Sequence, residues 1–309
     1  MPAFIHSFGA YLPEQIVTNE AVGARVGKSP EWIESASGIR ERRWAGAETS
    51  VADLALEAAR DCLRHGGVEA SSLGLIVVAS GSAARGFPGP AAEVAARLGL
   101  ETTPAIDLPM ASAGSLFGLV LAARMAEASG DVLVIGAEKM SAVIEAGPPD
   151  ANTAILFGDG AGAALVSSRP GTWEIVDAAL HTDGQFRGDL AWDGTGTLRM
   201  NGLSVIMQAA RKIPAAIAEV LARQNVAAAD VVAFLLHQAN QNLLVRVAKA
   251  LGVGPEKVYS NVGRYGNTSS ASMLIAAAEW ARNHPAAGNI VFAAFGAGFH
   301  WGAVLARSR

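Results

Sequence analysis

Six short apolar runs punctuate the chain: GLIVVAS (74–80), DVLVIGA (131–137), GAALVSS (162–168), VVAFLLH (231–237), NIVFAAF (289–295) and GAVLARS (302–308). Most are apolar at successive positions, not at alternate ones. Runs of that kind fit strands covered on both faces, as in a sheet between helices. The segments between them, 51–65, 90–99, 114–128, 204–224, 241–251 and 270–283, carry helical spacing. Strands alternating with helices predict an α/β fold.

The order of elements then repeats. The first half runs GLIVVASGS, helix, PAIDLPMASAG, helix, DVLVIGAE and GAGAALVSS. The second runs VAFLLHQAN, helix, KVYSNVGRYGNTSS, helix, NIVFAAFGAG and WGAVLARS. Two copies of one βαβαβ-type plan, residues 1–168 and 169–309, are the economical explanation, with 169–202 as a connecting segment of strands and loops. Duplication predicts a pseudo-twofold axis, with Ser112 and Asn267 in equivalent turns before equivalent helices. His237 ends the strand that opens the second half, and strand ends are where chemistry gathers in α/β sheets.

Composition narrows the function classes. Of 309 residues, 51% are hydrophobic and 17% charged, which is enough apolar material for a sizeable core. A net charge of −4 offers no basic field for a nucleic acid. The triplet ERR (41–43) reads as a solvated surface turn, with a small basic patch as the alternative. No apolar run approaches the ~18 residues of a membrane span, and no signal-peptide pattern opens the chain. A cytoplasmic protein without membrane or nucleic-acid partners is expected. The single cysteine, Cys62, excludes an internal disulfide and reads as a packed helix residue. Without a Cys/His ligand set or a strand–GxGxxG–helix unit, no metal or redox cofactor is expected. GDGAG (158–162) reads as a tight turn, not a phosphate loop.

The polar candidates each have two readings on residue type alone. Ser112 is placed as a nucleophile or as an ordinary helix N-cap. His237 is a base or a satisfied core histidine, and Asn267 is a donor or a turn residue.

A resemblance separates these readings. MASAG (110–114), HQAN (237–240), NVGRYGNTSSAS (261–272), FGDGAGAALV (157–166) and AFGAGFHWGAVL (294–305) resemble the β-ketoacyl-acyl-carrier-protein synthase III family, as do EWIESASGIRERR (31–43) and FPGPAAEVAARLG (87–99). The likeness runs end to end and in order. It implies a thiolase-like fold layered α/β/α/β/α and a Cys-His-Asn site acting on acyl thioesters of coenzyme A or acyl carrier protein. By position the site is Ser112, His237 and Asn267, with serine in place of the family's cysteine. A thiol of pKa ~8.5 can ionise at a helix N-terminus, whereas a serine hydroxyl needs a base, and His237 is the candidate. Backbone N–H groups of Ser112 and Ala297 are the implied oxyanion donors.

On the substrate side, Trp32 matches a tryptophan that stacks on coenzyme A. Phe87 matches a residue that reaches into the partner's acyl pocket in family dimers. Ser115 replaces a bulkier aromatic by the acyl pocket. Ala36, Ala151 and Asn242 stand where relatives often have arginines, so use of free acyl-coenzyme A is in doubt. Lys249 keeps part of a basic pair for docking a carrier protein. The expected protein is an acyltransferase of starter-unit priming or condensation, a homodimer or a heterodimer with another ketosynthase. The alternatives are a non-catalytic partner subunit, an ester-forming acyltransferase, and a synthase III whose cysteine was exchanged for serine by engineering.

Overall fold

The computed structural model describes residues 2–83, 87–148 and 150–309. The first half contributes strands β1 (Ala3–Tyr11), β2 (Ile16–Thr18), β3 (Glu41–Arg43), β4 (Leu73–Ala79), β5 (Ala105–Leu108), β6 (Asp131–Lys139) and β7 (Asp159–Ser167). Its helices are α1 (Asn19–Val26), α2 (Pro30–Ser37), α3 (Val51–Gly66), α4 (Pro90–Arg97), α5 (Gly114–Ser129), α6 (Met140–Glu145) and α7 (Ala151–Ala154). The second half holds β8 (Trp173–Thr182), β9 (Leu190–Ala191), β10 (Arg199–Met200), β11 (Val231–Leu236), β12 (Asn289–Gly296) and β13 (His300–Ser308). Its helices are α8 (Gly202–Arg223), α9 (Gln241–Leu251), α10 (Val262–Tyr265) and α11 (Ser272–Asn283).

Nine strands form one mixed sheet in the order β11-β12-β13-β8-β1-β7-β6-β4-β5. The order on either side of the β1–β8 seam is the same plan run twice. β4 pairs in parallel with β5 and β6, and β11 pairs in parallel with β12. β5 has a reduced counterpart, a single parallel bridge from Phe234 to Val258. The seam is narrow: Ala3–Ile5 against Trp173–Ile175.

Alternate residues of each strand enter different cores, which makes the layering explicit. On β6, Val132 and Val134 join a central cluster with α5 and α11, while Leu133 and Ile135 face α3 and α4. On β12, Ile290 and Phe292 face the centre, while Val291 and Ala293 face α8 and α9. Helices therefore lie outside, between and outside two sheet faces, and the fold is thiolase-like. Both faces are covered, so the strands read as unbroken apolar runs.

Two local readings are corrected. GDGAG is not a turn: Asp159 onward belongs to β7. Gly160 and Gly162 lie under α11, where a Cβ on Gly162 would sit 2.6 Å from Ile275 N. ERR is neither a solvated turn nor a basic patch. Arg42 is fully buried, with Nη1 2.8 Å from Asn19 Oδ1 and Nη2 2.7 Å from the Ile155 carbonyl. Burial brings its pKa down to about 10. Cys62 is buried in the α3 core, and its thiol is pushed up to about 12 by burial.

Candidate active site

The chain leaves β5, turns through residues 109–113 and enters α5 at Gly114, where the helical spacing over 114–128 begins. The N-cap is Ala113, and no side chain caps the helix. Ser112 is therefore not a capping residue. Its φ is +64°, a left-handed conformation that costs an L-residue about 1–2 kcal/mol. Strain of this kind persists where the surrounding fold imposes it, often at functional sites. Gly296 at the end of β12 provides the room: a Cβ there would lie 2.2 Å from the Ala111 carbonyl oxygen and 2.9 Å from Ser112 Cβ.

Facing Ser112 across the two halves is Ser269, which sequence reasoning missed. It too has a left-handed φ, +47°. So the strained counterpart of Ser112 is Ser269, not Asn267. The Ser112 N–H donates to Ser269 Oγ at 2.9 Å, and the two hydroxyl oxygens are 3.5 Å apart. The Ser112 N–H, expected to be an oxyanion donor, is thus occupied, and a substrate oxygen reaches it by displacing the Ser269 hydroxyl. The Ser269 N–H donates to Asn267 Oδ1 at 2.9 Å, which leaves the Asn267 Nδ2 group to donate elsewhere. Backbone pairing with Leu156 and Gly158 holds Asn267 itself.

His237 follows β11, with its N–H on the Ala293 carbonyl at 2.9 Å. The neighbouring Gln238 fixes the turn, its Nε2 donating to the carbonyls of Leu236 and Tyr259 and its Oε1 accepting from Asn261 N. The imidazole is buried, and Nδ1 lies 2.6 Å from Ser272 Oγ. Burial lowers its pKa to about 4, with a hydrogen bond to the Ser269 backbone acting the other way. His237 is therefore neutral at physiological pH. Ser269 joins Ser112 to Asn267, and Ser272, three residues further on, holds His237.

A cavity of about 310 Å³ opens beside Ser112 and is also lined by Ser269, Phe157 and Ala297. Ala297 is half-buried and has no left-handed φ, so its backbone conformation is one that alanine adopts without strain. Ser115 does not line this cavity among the described residues. It is fully buried in α5, and its Oγ has no hydrogen-bond partner among the described residues. His237 and Asn267 likewise stand behind the lining.

The expected coenzyme A entrance is built from α2 and α9. Ser29 caps α2 and Pro30 occupies its first turn, which presents Trp32 at 42% exposure. Lys28 Nζ lies 4.8 Å from the Trp32 ring centre, a cation the motif comparison overlooked. Asn242 Nδ2 donates to the carbonyls of Ser35 and Ala36 at 3.3 and 3.1 Å. The amide at 242 thus ties α9 to the end of α2 instead of presenting a guanidinium to solvent. Ala151 starts α7 beside the capping Asp150. Lys249 is exposed in the last turn of α9.

The wall is anchored by Glu138, which is fully buried at the end of β6. Its oxygens accept from the hydroxyls of Ser80, Ser82 and Ser270 and from the N–H groups of Gly81 and Ser270. It thereby clamps Gly81 of the first half to the residue after Ser269. Glu138→Leu takes the acceptor from five donors, four of them buried, and we expect a loss of ~3–5 kcal/mol in urea unfolding. A loss below about 1 kcal/mol would mean that these donors find other partners.

Residues 106–184 match the model of 3-oxoacyl-[acyl-carrier-protein (ACP)] synthase III, and residues 221–308 match its C-terminal model. The chain is 36% identical to β-ketoacyl-[acyl-carrier-protein] synthase III of Acidiphilium cryptum over 98% of each chain. It is 38% identical to that of Serratia proteamaculans over 97% of each. The fold superposes on 3-oxoacyl-[acyl-carrier-protein] synthase III from Aquifex aeolicus with a TM-score of 0.94, at 35% identity and 99% coverage of each chain. The priming β-ketosynthase of the R1128 polyketide pathway gives 0.89 at 32% identity, covering 99% of this chain and 96% of that one.

Proposed function

Since the chain belongs to the β-ketoacyl-acyl-carrier-protein synthase III family, we propose that it moves an acyl group from a thioester donor through Ser112 to a carrier-protein or small-molecule acceptor. The setting is priming or condensation in polyketide- or fatty-acid-type biosynthesis. The observation that carries this reading is Ser112 itself: left-handed, free of any capping role and opening into the cavity.

In this reading Ser112 Oγ attacks the thioester carbonyl carbon while His237 Nε2 takes the hydroxyl proton. That requires Nδ1–H to donate to Ser272 Oγ, leaving Nε2 with its lone pair. The N–H of Ala297, a lining residue, and the N–H of Ser112, once the Ser269 hydroxyl is displaced, face the developing oxyanion, with Asn267 behind them. Collapse breaks the C–S bond, and the leaving thiolate takes the proton back from His237. The enzyme is left as an oxoester, which is less reactive than a thioester toward carbon nucleophiles. The reading is tested by intact-mass spectrometry after incubation with a panel of acyl thioesters. Absence of an acyl mass with every donor overturns it in favour of a non-catalytic partner subunit.

The proposal extends to a cytoplasmic dimer. No helix among the described residues is long and apolar enough to cross a membrane. Phe87 is 93% exposed, and β5 is an unpaired sheet edge with Ile106 half-exposed. An exposed edge beside a projecting aromatic side chain fits a chain-to-chain contact. Sedimentation at micromolar concentration is expected to give a dimer, and Phe87→Glu to shift it toward monomer. A wild-type monomer under these conditions contradicts this, and a heterodimer with another ketosynthase would then be the form to seek.

A further inference from the structure

The cavity beside Ser112 is one-sided in charge. Much of its wall is apolar, with Met140, Leu190 and Trp192 among the lining side chains. Its ionisable groups are Arg187 and His300, and no Asp or Glu lines it among the described residues.

His300, the first residue of β13, is held on three sides. Nδ1 lies 2.8 Å from Thr182 Oγ1, and the Phe117 ring meets it edge-on at 5.5 Å. Its ring covers Gly298, where a Cβ would come within 2.3 Å of Cδ2 and 2.4 Å of Nε2. Glycine at 298 is what lets the imidazole lie there. Partial burial holds its pKa below the usual histidine value, so the ring is neutral at pH 7. In the tautomer where the Thr182 hydroxyl donates to Nδ1, Nε2 carries the proton and is a donor. Arg187 is exposed, and its one side-chain hydrogen bond among the described residues is to the Gly184 carbonyl at 3.4 Å. The cavity thus offers one permanent cation and one neutral imidazole that donates through Nε2 in that tautomer, with no acid among its described lining residues.

We propose that the acyl group accepted beside Ser112 carries a distal carboxylate, held by Arg187 and His300, so that the donor is a thioester of a dicarboxylic acid. This rests on the reading that the acyl group occupies this cavity. A carboxylate among apolar walls is costly unless it is paired, and a guanidinium pairs with it through two parallel hydrogen bonds. A plain alkyl chain of the same length gains nothing from either residue.

Binding to the Ser112→Ala protein, which cannot form the ester, tests the proposal. S-succinyl-pantetheine and S-butyryl-pantetheine have acyl chains of equal length and are compared by calorimetry. Succinyl is expected to bind ~10–100-fold tighter, the usual range for a charged hydrogen bond. Adding Arg187→Gln, an exposed position whose substitution leaves the core untouched, should cut that ratio at least about tenfold. Equal affinities, a butyryl preference, no measurable binding of either, or a ratio indifferent to Arg187→Gln each overturns the proposal. If the wild type forms no acyl ester with any donor, the nucleophile reading falls separately, and the affinity ratio still decides this one.

Discussion

Ser112→Ala is expected to erase the acyl adduct of the wild-type protein while leaving its stability within about 0.5 kcal/mol. The fold has little to lose there. The Ser112 hydroxyl caps nothing, and its one hydrogen-bond partner among the described residues, Ser269 Oγ, is 3.5 Å away. Alanine meets the same left-handed strain as serine, and the N–H bond to Ser269 is made by the backbone. Ser112→Cys should acylate faster than the wild type. Residue 112 lies two positions before α5, where unpaired N–H groups and the helix dipole favour an anion. A thiol there ionises in part at neutral pH, while a hydroxyl does not. Intact-mass kinetics with one donor across the three proteins decides the matter. An adduct that survives in Ser112→Ala places the acyl group elsewhere and sinks the nucleophile reading. A slower Ser112→Cys protein would show a site adapted to the hydroxyl.

Much of the fold was legible because strands covered on both faces leave an unambiguous trace. The runs at 131–137 and 289–295 lie within β6 and β12, and the helix expected at 241–251 is α9. The repeat was legible for the same reason, since both halves follow one order. β1 was missed because His6 and Gly9 interrupt AFIHSFGAY, and its burial is set by α3 and β7, far away in sequence. Arg42 misled because charge usually means surface. Here three backbone or amide oxygens replace water around it.

At the site, motif likeness pointed to Ser112, His237 and Asn267, but the groups connecting them left no local signal. Ser269 meets Ser112 across 157 residues, and Ser270 meets Glu138 across 132. A left-handed serine is likewise imposed by tertiary contact, and no neighbouring residue announces it. His300 and Arg187 were passed over because a lone histidine or a loop arginine looks ordinary until the cavity between them is seen.

The pH dependence of acylation provides the second large effect, and burial changes its expected form. An ordinary imidazole titrates near ~6.5, which would make acylation climb through neutrality. His237 is held near 4, because burial disfavours its charged form. A base must be neutral to act, so the rate should be flat from about pH 6 to 8 and fall only below about pH 5. His237→Ala should slow acylation ~100-fold or more at all these values. Stability shifts in the same sense. The unfolded chain binds this proton between pH 6.5 and 4 and the folded chain does not, so folding weakens as pH falls through that window. Full protonation removes stability on the order of 3 kcal/mol, all of it present above pH 6.5. His237→Gln should remove this component from urea unfolding measured at pH 7 and pH 5. A rate inflection near 6.5 would show an imidazole open to water, and with it the claim that burial keeps His237 neutral would fail.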